Sequence, residues 1–541
     1  MINRSSGILM HLSSLPGEFE CGTMGAEARS FIDMIAGMGY TYWQLLPINP
    51  VNVGMSPYSN QSLFAGNPSF IEPSYLVDEG LLTASEVNDT KPGLNENGPA
   101  ASVDIKRLIL LRKAYTRLTG EAMNAVKAFA AENEQWVYDY ALFMILKNEY
   151  GDMAWNKWPA FGLRLYKEEA ISEKRTEKEK DVMFWVYVQY LFYRQFEEMK
   201  KYANARGVYI IGDLPIYASH NSSDVWAGKK LFELNNKLVS RLVAGVPPDY
   251  FNKNGQLWGN PLYSWEEMKK DGFAWWLRRI DQGLRMFDIV RIDHFRGFYN
   301  YWAVPYQNKT AKRGTWLKGP GMSLFSKINK KYDSWRIIAE DLGDIDRAAK
   351  EFFKKVGYPG MRVMQFGFES KKDAAHITRN YVENCVAYTG THDNDTILGW
   401  YRSVSPEVRK LSLEYCKCAV PDGEEGELEM CMSWIETLWN SKAALTIVPI
   451  QDLCGLGSEA RMNTPGTVNG NWSFRVTNEL LERIDKNRIK ELNTKTGRSG
   501  LVGKSGGAGS GGSNPGETAP GEVVPDRTAA TKRAERASPV S

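Results

Sequence analysis

Eight short runs rich in Val, Ile and Leu recur along this 541-residue sequence, and most of them stop on charged or amide side chains. They span 7–12, 40–48, 208–216, 286–295, 335–342, 361–368, 385–393 and 444–452. Near-continuous apolar runs, rather than strict alternation, belong to strands covered on both faces, which is the condition of a parallel sheet. Between the first two runs the period becomes helical, with Ala28, Phe31, Ile32, Ile35 and Met38 three or four apart, so the three together read as a strand-helix-strand unit. Eight such strands covered by helices predict an α/β protein built as a closed (β/α)8 TIM barrel with helical and loop insertions. An open doubly wound sheet is the alternative, but no glycine-rich dinucleotide fingerprint follows any run.

A barrel of this kind needs only about 250 residues, so much of the chain must be accommodated in insertions. From about 73 to 206 the pattern is helical, with Ile105, Leu108, Leu111, Tyr115 and Leu118 forming one apolar stripe. A second insertion, about 217–285, follows the third strand. Residues 1–497 thus read as one catalytic unit. Beyond them Gly503-Lys-Ser-Gly-Gly-Ala-Gly-Ser-Gly-Gly512 opens a stretch with almost no large apolar side chains. Residues 498–541 read as a disordered tail with the composition of an expression or fusion scar.

Composition narrows the function classes. A net charge of +3, with basic and acidic residues interspersed, leaves no footprint for a nucleic-acid partner. No run is long enough to span a bilayer and the first residues lack the apolar region of a signal peptide, so a cytoplasmic protein without a membrane partner is expected. Six scattered cysteines, none at zinc-knuckle or redox spacing, fit a reducing compartment. The 17 Trp and 26 Tyr permit stacking on sugar faces without requiring it.

The strand ends carry the chemistry. In Asp288-Ile-Val-Arg-Ile-Asp-His-Phe-Arg-Gly297 an apolar run stops on Arg291, Asp293, His294 and Arg296. Burying such groups costs several kcal/mol unless they are well partnered, so the alternatives are an ion-pair cluster closing a strand and a reactive site. Asp213, Glu340, Asp341, His392 and Asp393 end other runs, and in a barrel all of these meet at one mouth. Convergent carboxylates without a nucleophilic cysteine or a Ser/His/Asp elbow leave metal-assisted hydrolysis or acetal chemistry on sugars. Only five histidines are present, with no His-x-His or His-Glu-x-x-His pattern, and Asp393-Asn-Asp395 lacks the spacing of a calcium loop. Sugar chemistry, with neither metal nor other cofactor, is the better reading.

Four motifs then carry a family resemblance: Ile211-Gly-Asp-Leu-Pro-Ile-Tyr217, Arg291-Ile-Asp-His-Phe-Arg-Gly297, Ile338-Ala-Glu-Asp-Leu-Gly343 and Thr391-His-Asp-Asn-Asp-Thr396. They resemble the signature regions of the α-amylase superfamily in the form found in 4-α-glucanotransferases, the amylomaltases or disproportionating enzymes of glycoside hydrolase family 77. Val243-Ala-Gly-Val-Pro-Pro-Asp-Tyr-Phe251, Gly255-Gln-Leu-Trp-Gly-Asn-Pro-Leu-Tyr263 and Gly455-Leu-Gly-Ser-Glu-Ala-Arg-Met-Asn-Thr-Pro465 extend the likeness from about Ile8 to Trp472.

The resemblance implies Asp293 as nucleophile, Glu340 as general acid and then base, and Asp393 as stabiliser of an oxocarbenium-like transition state. It implies transfer of α-1,4-glucan segments with retention, the reacting carboxyls about 5–5.5 Å apart. It further implies sugar contacts from Tyr58, Asp213, Asp249, Tyr250, Phe251, Gln256, Trp258, Arg291, His294, His392, Asn463, Pro465 and Trp472, with the loop 247–258 as a lid over the acceptor. Arg291 is expected to keep Asp293 ionised, and the apolar run before Glu340 to keep Glu340 protonated. Asn221 stands where the family pattern has Asp, which affects local hydrogen bonding. An α-glucan hydrolase, a non-catalytic glucan-binding protein and a metal-dependent barrel hydrolase are the competing readings.

Overall fold

The strands run in chain order as β1 (Ser5–Leu9), β2 (Tyr42–Gln44), β3 (Tyr209–Leu214), β4 (Leu242–Val246), β5 (Gln256–Pro261) and β6 (Ile289–Ile292). After them come β7 (Asn300–Pro305), β8 (Thr315–Lys318), β9 (Ile337–Ala339), β10 (Gly360–Val363), β11 (Cys385–Tyr388) and β12 (Leu445–Pro449). They belong to a computed structural model of the protein, which describes residues 2–52, 56–91, 101–248, 253–343, 345–369, 371–467 and 469–499. The expected tail lies outside these residues, apart from Arg498 and Ser499.

All eight strands expected of the barrel form it. β1, β2, β3, β6, β9, β10, β11 and β12 close in parallel, with β12 beside β1. The pleat sends alternate residues inward. Leu9, Tyr42, Ile211, Ile289, Ile338, Met361, Val386 and Leu445 form the inner cluster, while Ile8, Trp43, Ile210, Val290 and Ile337 join the larger core under the helices. The strands are therefore apolar on both faces, which is why they read as unbroken runs. Gly212 allows close packing on the outer face of β3, where a Cβ would sit 2.1 Å from the Phe287 ring.

Between β2 and β3 lie the helices expected there, among them Ala101–Thr116, Gly120–Glu132, Val137–Glu149 and Glu179–Asn204. The first presents most of the expected stripe to the core, with Leu111 buried and Leu108, Tyr115 and Leu118 half-buried against it. Ile105 is 61% exposed, and the buried positions are Arg107, Leu110, Leu111 and Ala114, again three and four apart. Arg107 lays its guanidinium over the Phe19 ring at 4.4 Å, so a cation occupies part of the docking face.

A second sheet did not emerge from periodicity. It is antiparallel, ordered β5-β4-β7-β8, and draws on the segment after β3 and also on the segment after β6. Insertions after the second and third strands are thus joined by one after the fourth. β5 contains Gly259, Asn260 and Pro261, and β8 is largely exposed. Short, half-wet strands have weak hydrophobic signatures. Residues 256–258, expected within a lid loop, lie on β5.

Candidate active site

Alternation sets the floor of the site. Asp213 follows the inward Ile211, Arg291 the inward Ile289 and Glu340 the inward Ile338, so all three project from the barrel interior at its C-terminal end. Asp213 and Arg291 are register partners on neighbouring strands. Their pairing follows: Arg291 Nη1 donates to both Asp213 oxygens at 2.7 Å, with side chains 5% and 0% exposed. The same nitrogen reaches Asp293 Oδ1 at 3.2 Å. Tyr58 closes this cluster by donating its hydroxyl to Asp213 Oδ2 at 2.7 Å, and its ring stacks on His392 at 5.3 Å.

Glu340, the first residue past β9, is held by backbone donors. His294 N–H reaches Oε2 at 2.6 Å and Leu342 N–H reaches Oε1 at 2.9 Å. His294 sits in the left-handed region at φ 45°, as does Trp472 at φ 62°. Such strain in non-glycine residues is typical of reactive sites. Asp393 accepts from Asn463 Nδ2 at 2.6 Å, and His392 Nε2 lies 3.4 Å from the same oxygen. Arg461, missed in the sequence although its motif was evident, donates to the Asp393 carbonyl at 2.6 Å and to the Asn463 carbonyl at 2.8 Å. Only proximity in space across 68 residues reveals that role.

The electrostatics correct one expectation. Burial pushes the Asp293 carboxyl well above its ordinary range, against the downward pull of Arg291, and Asp213, Glu340 and Asp393 add to the rise. Arg291 pulls the Asp293 carboxyl down but does not outweigh burial, because its nearest bonds go to Asp213. The 26% of the Asp293 side chain open to solvent moderates the push without removing the crowd of acids around it. Glu340 is also raised, chiefly by burial, while Arg291 and the two backbone N–H groups oppose the shift. Two interacting carboxyls of this kind titrate as a pair sharing a proton. Burial lowers His294 to about 4 and also depresses His392, so both imidazoles are neutral near pH 7.

Trp258 on β5 meets the His294 ring edge-on at 4.7 Å, and its Nε1 donates to Gln256 Oε1 at 3.1 Å. The second sheet thereby presents both side chains to the mouth. Trp472 lies 5.9 Å from His392 and 6.0 Å from Tyr58. Pro465 is exposed on the loop that carries Asn463, with no polar contact to the acids. Asp249, Tyr250 and Phe251 lie outside the described residues. Asn221 accepts the Trp155 N–H through Oδ1 at 3.3 Å, a bond for which an amide oxygen suffices. A cavity of about 370 Å³ between Trp136, Trp275, Asp224 and Arg285 shares none of these residues.

The profile of glycoside hydrolase family 77, 4-alpha-glucanotransferase, matches residues 10–481. The chain belongs to this family. A 4-alpha-glucanotransferase of Clostridium butyricum is 40% identical over 494 residues, covering 90% of this chain and 100% of that protein. One from Thermus thermophilus is 40% identical over 485 residues, covering 87% and 95%. The amylomaltase of Streptococcus agalactiae, solved in complex with acarbose, superposes with a TM-score of 0.87 at 37% identity, covering 92% of this chain and all of that one. Within this family fold, the barrel mouth described above is the candidate site.

Proposed function

We propose that this 4-α-glucanotransferase-family enzyme cuts an α-1,4-glucan, holds one segment on Asp293 and passes it to the 4-hydroxyl of an acceptor glucose or glucan. The observation that carries the reading is the convergence of Asp293, Glu340 and Asp393 on one barrel mouth in a chain of this family. In the first step an Asp293 oxygen bonds to the anomeric carbon. The glycosidic C–O bond breaks, and Glu340 gives its proton to the leaving oxygen. In the second, Glu340 takes the proton of the acceptor hydroxyl, whose oxygen displaces the Asp293 ester, so the configuration at carbon is inverted twice and retained.

Attack requires the proton on Glu340 and the charge on Asp293, and the 3.2 Å contact with Arg291 favours the charged form of Asp293. Asp393, with one oxygen held by Asn463, turns the other to the sugar hydroxyls. His294 and His392, being neutral, can donate from one ring nitrogen and accept at the other. Tyr58 and Trp472 cover the donor ring; Gln256 and Trp258 face the acceptor, with Pro465 on the rim. Transfer outruns hydrolysis when those side chains exclude water and fix the acceptor hydroxyl.

All six cysteines carry free thiols, and no described helix is long and apolar enough to cross a membrane. Both fit work in the cytoplasm on maltooligosaccharides, starch or glycogen chains. Incubation with maltotriose should yield glucose together with oligomers longer than the substrate. Glucose and maltose alone would make it a hydrolase, and no turnover with tight acarbose binding would make it a glucan-binding protein.

A further inference from the structure

Behind the segment that carries Asp393 stands a buried carboxyl with no part in the steps above. Asp452 lies three residues past the end of β12 and is 1% exposed. Its Oδ2 accepts from Thr389 Oγ1 at 2.6 Å and its Oδ1 from the Ile397 N–H at 2.7 Å. Thr389 directly follows β11, and Ile397 opens the helix Ile397–Ser403. The two bonds grip the chain on either side of 390–396, which contains His392 and Asp393.

Within that segment Asn463 and Arg461 hold Asp393 from outside, as described above, and the other side-chain bonds are short-range or reach only Asp395. Asn394 Oδ1 accepts from Thr391 N–H and Oγ1 at 2.9 and 2.8 Å, and Asp395 accepts from Thr396 N–H and Ser458 Oγ at 2.8 and 2.7 Å. Gln365 Nε2 donates to the Asp395 carbonyl at 2.7 Å. Asp452 is what ties both ends of the segment to the chain that leaves the eighth barrel strand. A buried carboxyl is an expensive way to fill that space unless both oxygens are needed as acceptors.

We propose that Asp452 is a positioning residue for glucan transfer, whose two carboxylate oxygens hold both ends of 390–396 and thereby aim Asp393 at the reacting sugar ring. The proposal rests on the reading of Asp393 as transition-state stabiliser. The ionised form accepts on both oxygens without competition, whereas protonation turns one oxygen into a donor and forces the Thr389 bond to rearrange. Burial, opposed by the Thr389 and Ile397 bonds, raises Asp452 to about 7, and Asp395 adds to the rise. The Cys431 thiol of the helix Gly423–Trp439 also faces it, and His11, His392 and Arg461 line the small cavity alongside. The grip therefore loosens by protonation near neutral pH.

Asp452→Asn keeps the shape but is fixed in a neutral form. At about pH 8 it should lower kcat for maltotriose disproportionation on the order of tenfold, the scale of a small misplacement of a reacting group, with KM little changed. The wild-type-to-variant ratio should shrink as the pH falls from about 8 to about 5.5, because protonation brings the wild type to the same state. Thr389→Val, which removes one of the two bonds, should show a smaller loss with the same trend, and it serves if the Asn variant does not fold. Wild-type kcat in Asp452→Asn at about pH 8, or a ratio independent of pH, overturns the proposal. Asp393→Asn is assayed alongside: inactivity at every pH supports its assigned role, whereas retained activity overturns that role and is distinguishable from any result at Asp452.

Discussion

Arg291 shows how one side chain serves two acids. Its nearest bonds go to Asp213, and the longer one to Asp293 leaves that carboxyl available to a sugar. Asp293→Asn preserves the volume and cannot form the ester, so it should fold normally and lose about three orders of magnitude or more of transfer. Maltotriose disproportionation reads the loss, and substantial remaining activity would mean that another carboxyl is the nucleophile. His11, buried at the end of β1 against Phe70, is depressed to about 3 by burial and by His392. Unfolded, it titrates at about 6.5. Between those values the unfolded chain holds a proton that the folded one lacks, so its contribution to stability is complete above pH 6.5. It is lost as the pH falls toward 3, at roughly 1.4 kcal/mol per pH unit. Urea unfolding of His11→Gln from about pH 7.5 to 4.5 should show a shallower decline than the wild type; parallel declines would remove His11 as a cause.

At the scale of elements, the barrel strands were legible because they are apolar on both faces over three to six residues. The acids were legible because they break those runs at the ends. The antiparallel sheet was not. β5 carries Gln256, Gly259, Asn260 and Pro261, and the pairing of β4 with β7 joins segments about 60 residues apart. Yet this sheet delivers Trp258 to His294. Trp258→Ala should therefore leave glycosidic cleavage largely intact while shifting products from longer oligomers toward hydrolysis and raising the KM for glucose as acceptor. Product profiles from maltotriose with and without added glucose measure the shift. An unchanged transfer-to-hydrolysis ratio would separate the sheet from acceptor handling.

For the molecule as a whole, the end of the ordered chain has more to do than its composition suggests. Arg498 falls within the stretch that reads as a tail, yet it is fully buried and donates to the carbonyls of Trp439, Ser5, Ala444, Ser441 and Ala443. It thereby binds the entry to β1 to the entry to β12, where the barrel closes. Arg498→Ala should cost about 3 kcal/mol or more, since several buried carbonyls lose their donor together. Urea titration gives the cost, and a loss near zero would show those carbonyls satisfied by other means. Glucan transfer should survive in whatever fraction remains folded, because the closure lies at the opposite end of the strands from the acids.

The sequence alone determined the barrel strands, their order and the acids at the strand ends. Those properties reside in local period and local charge, which neighbouring residues fully express. Only the tertiary structure decided that Arg291 favours Asp213 over Asp293, that Arg461 and Asn463 hold Asp393, that Asp452 grips both flanks of its segment and that Arg498 seals the barrel. Each of these is a choice of partner between residues distant along the chain. Such choices depend on distances and on shared burial, which exist only once the strands have closed.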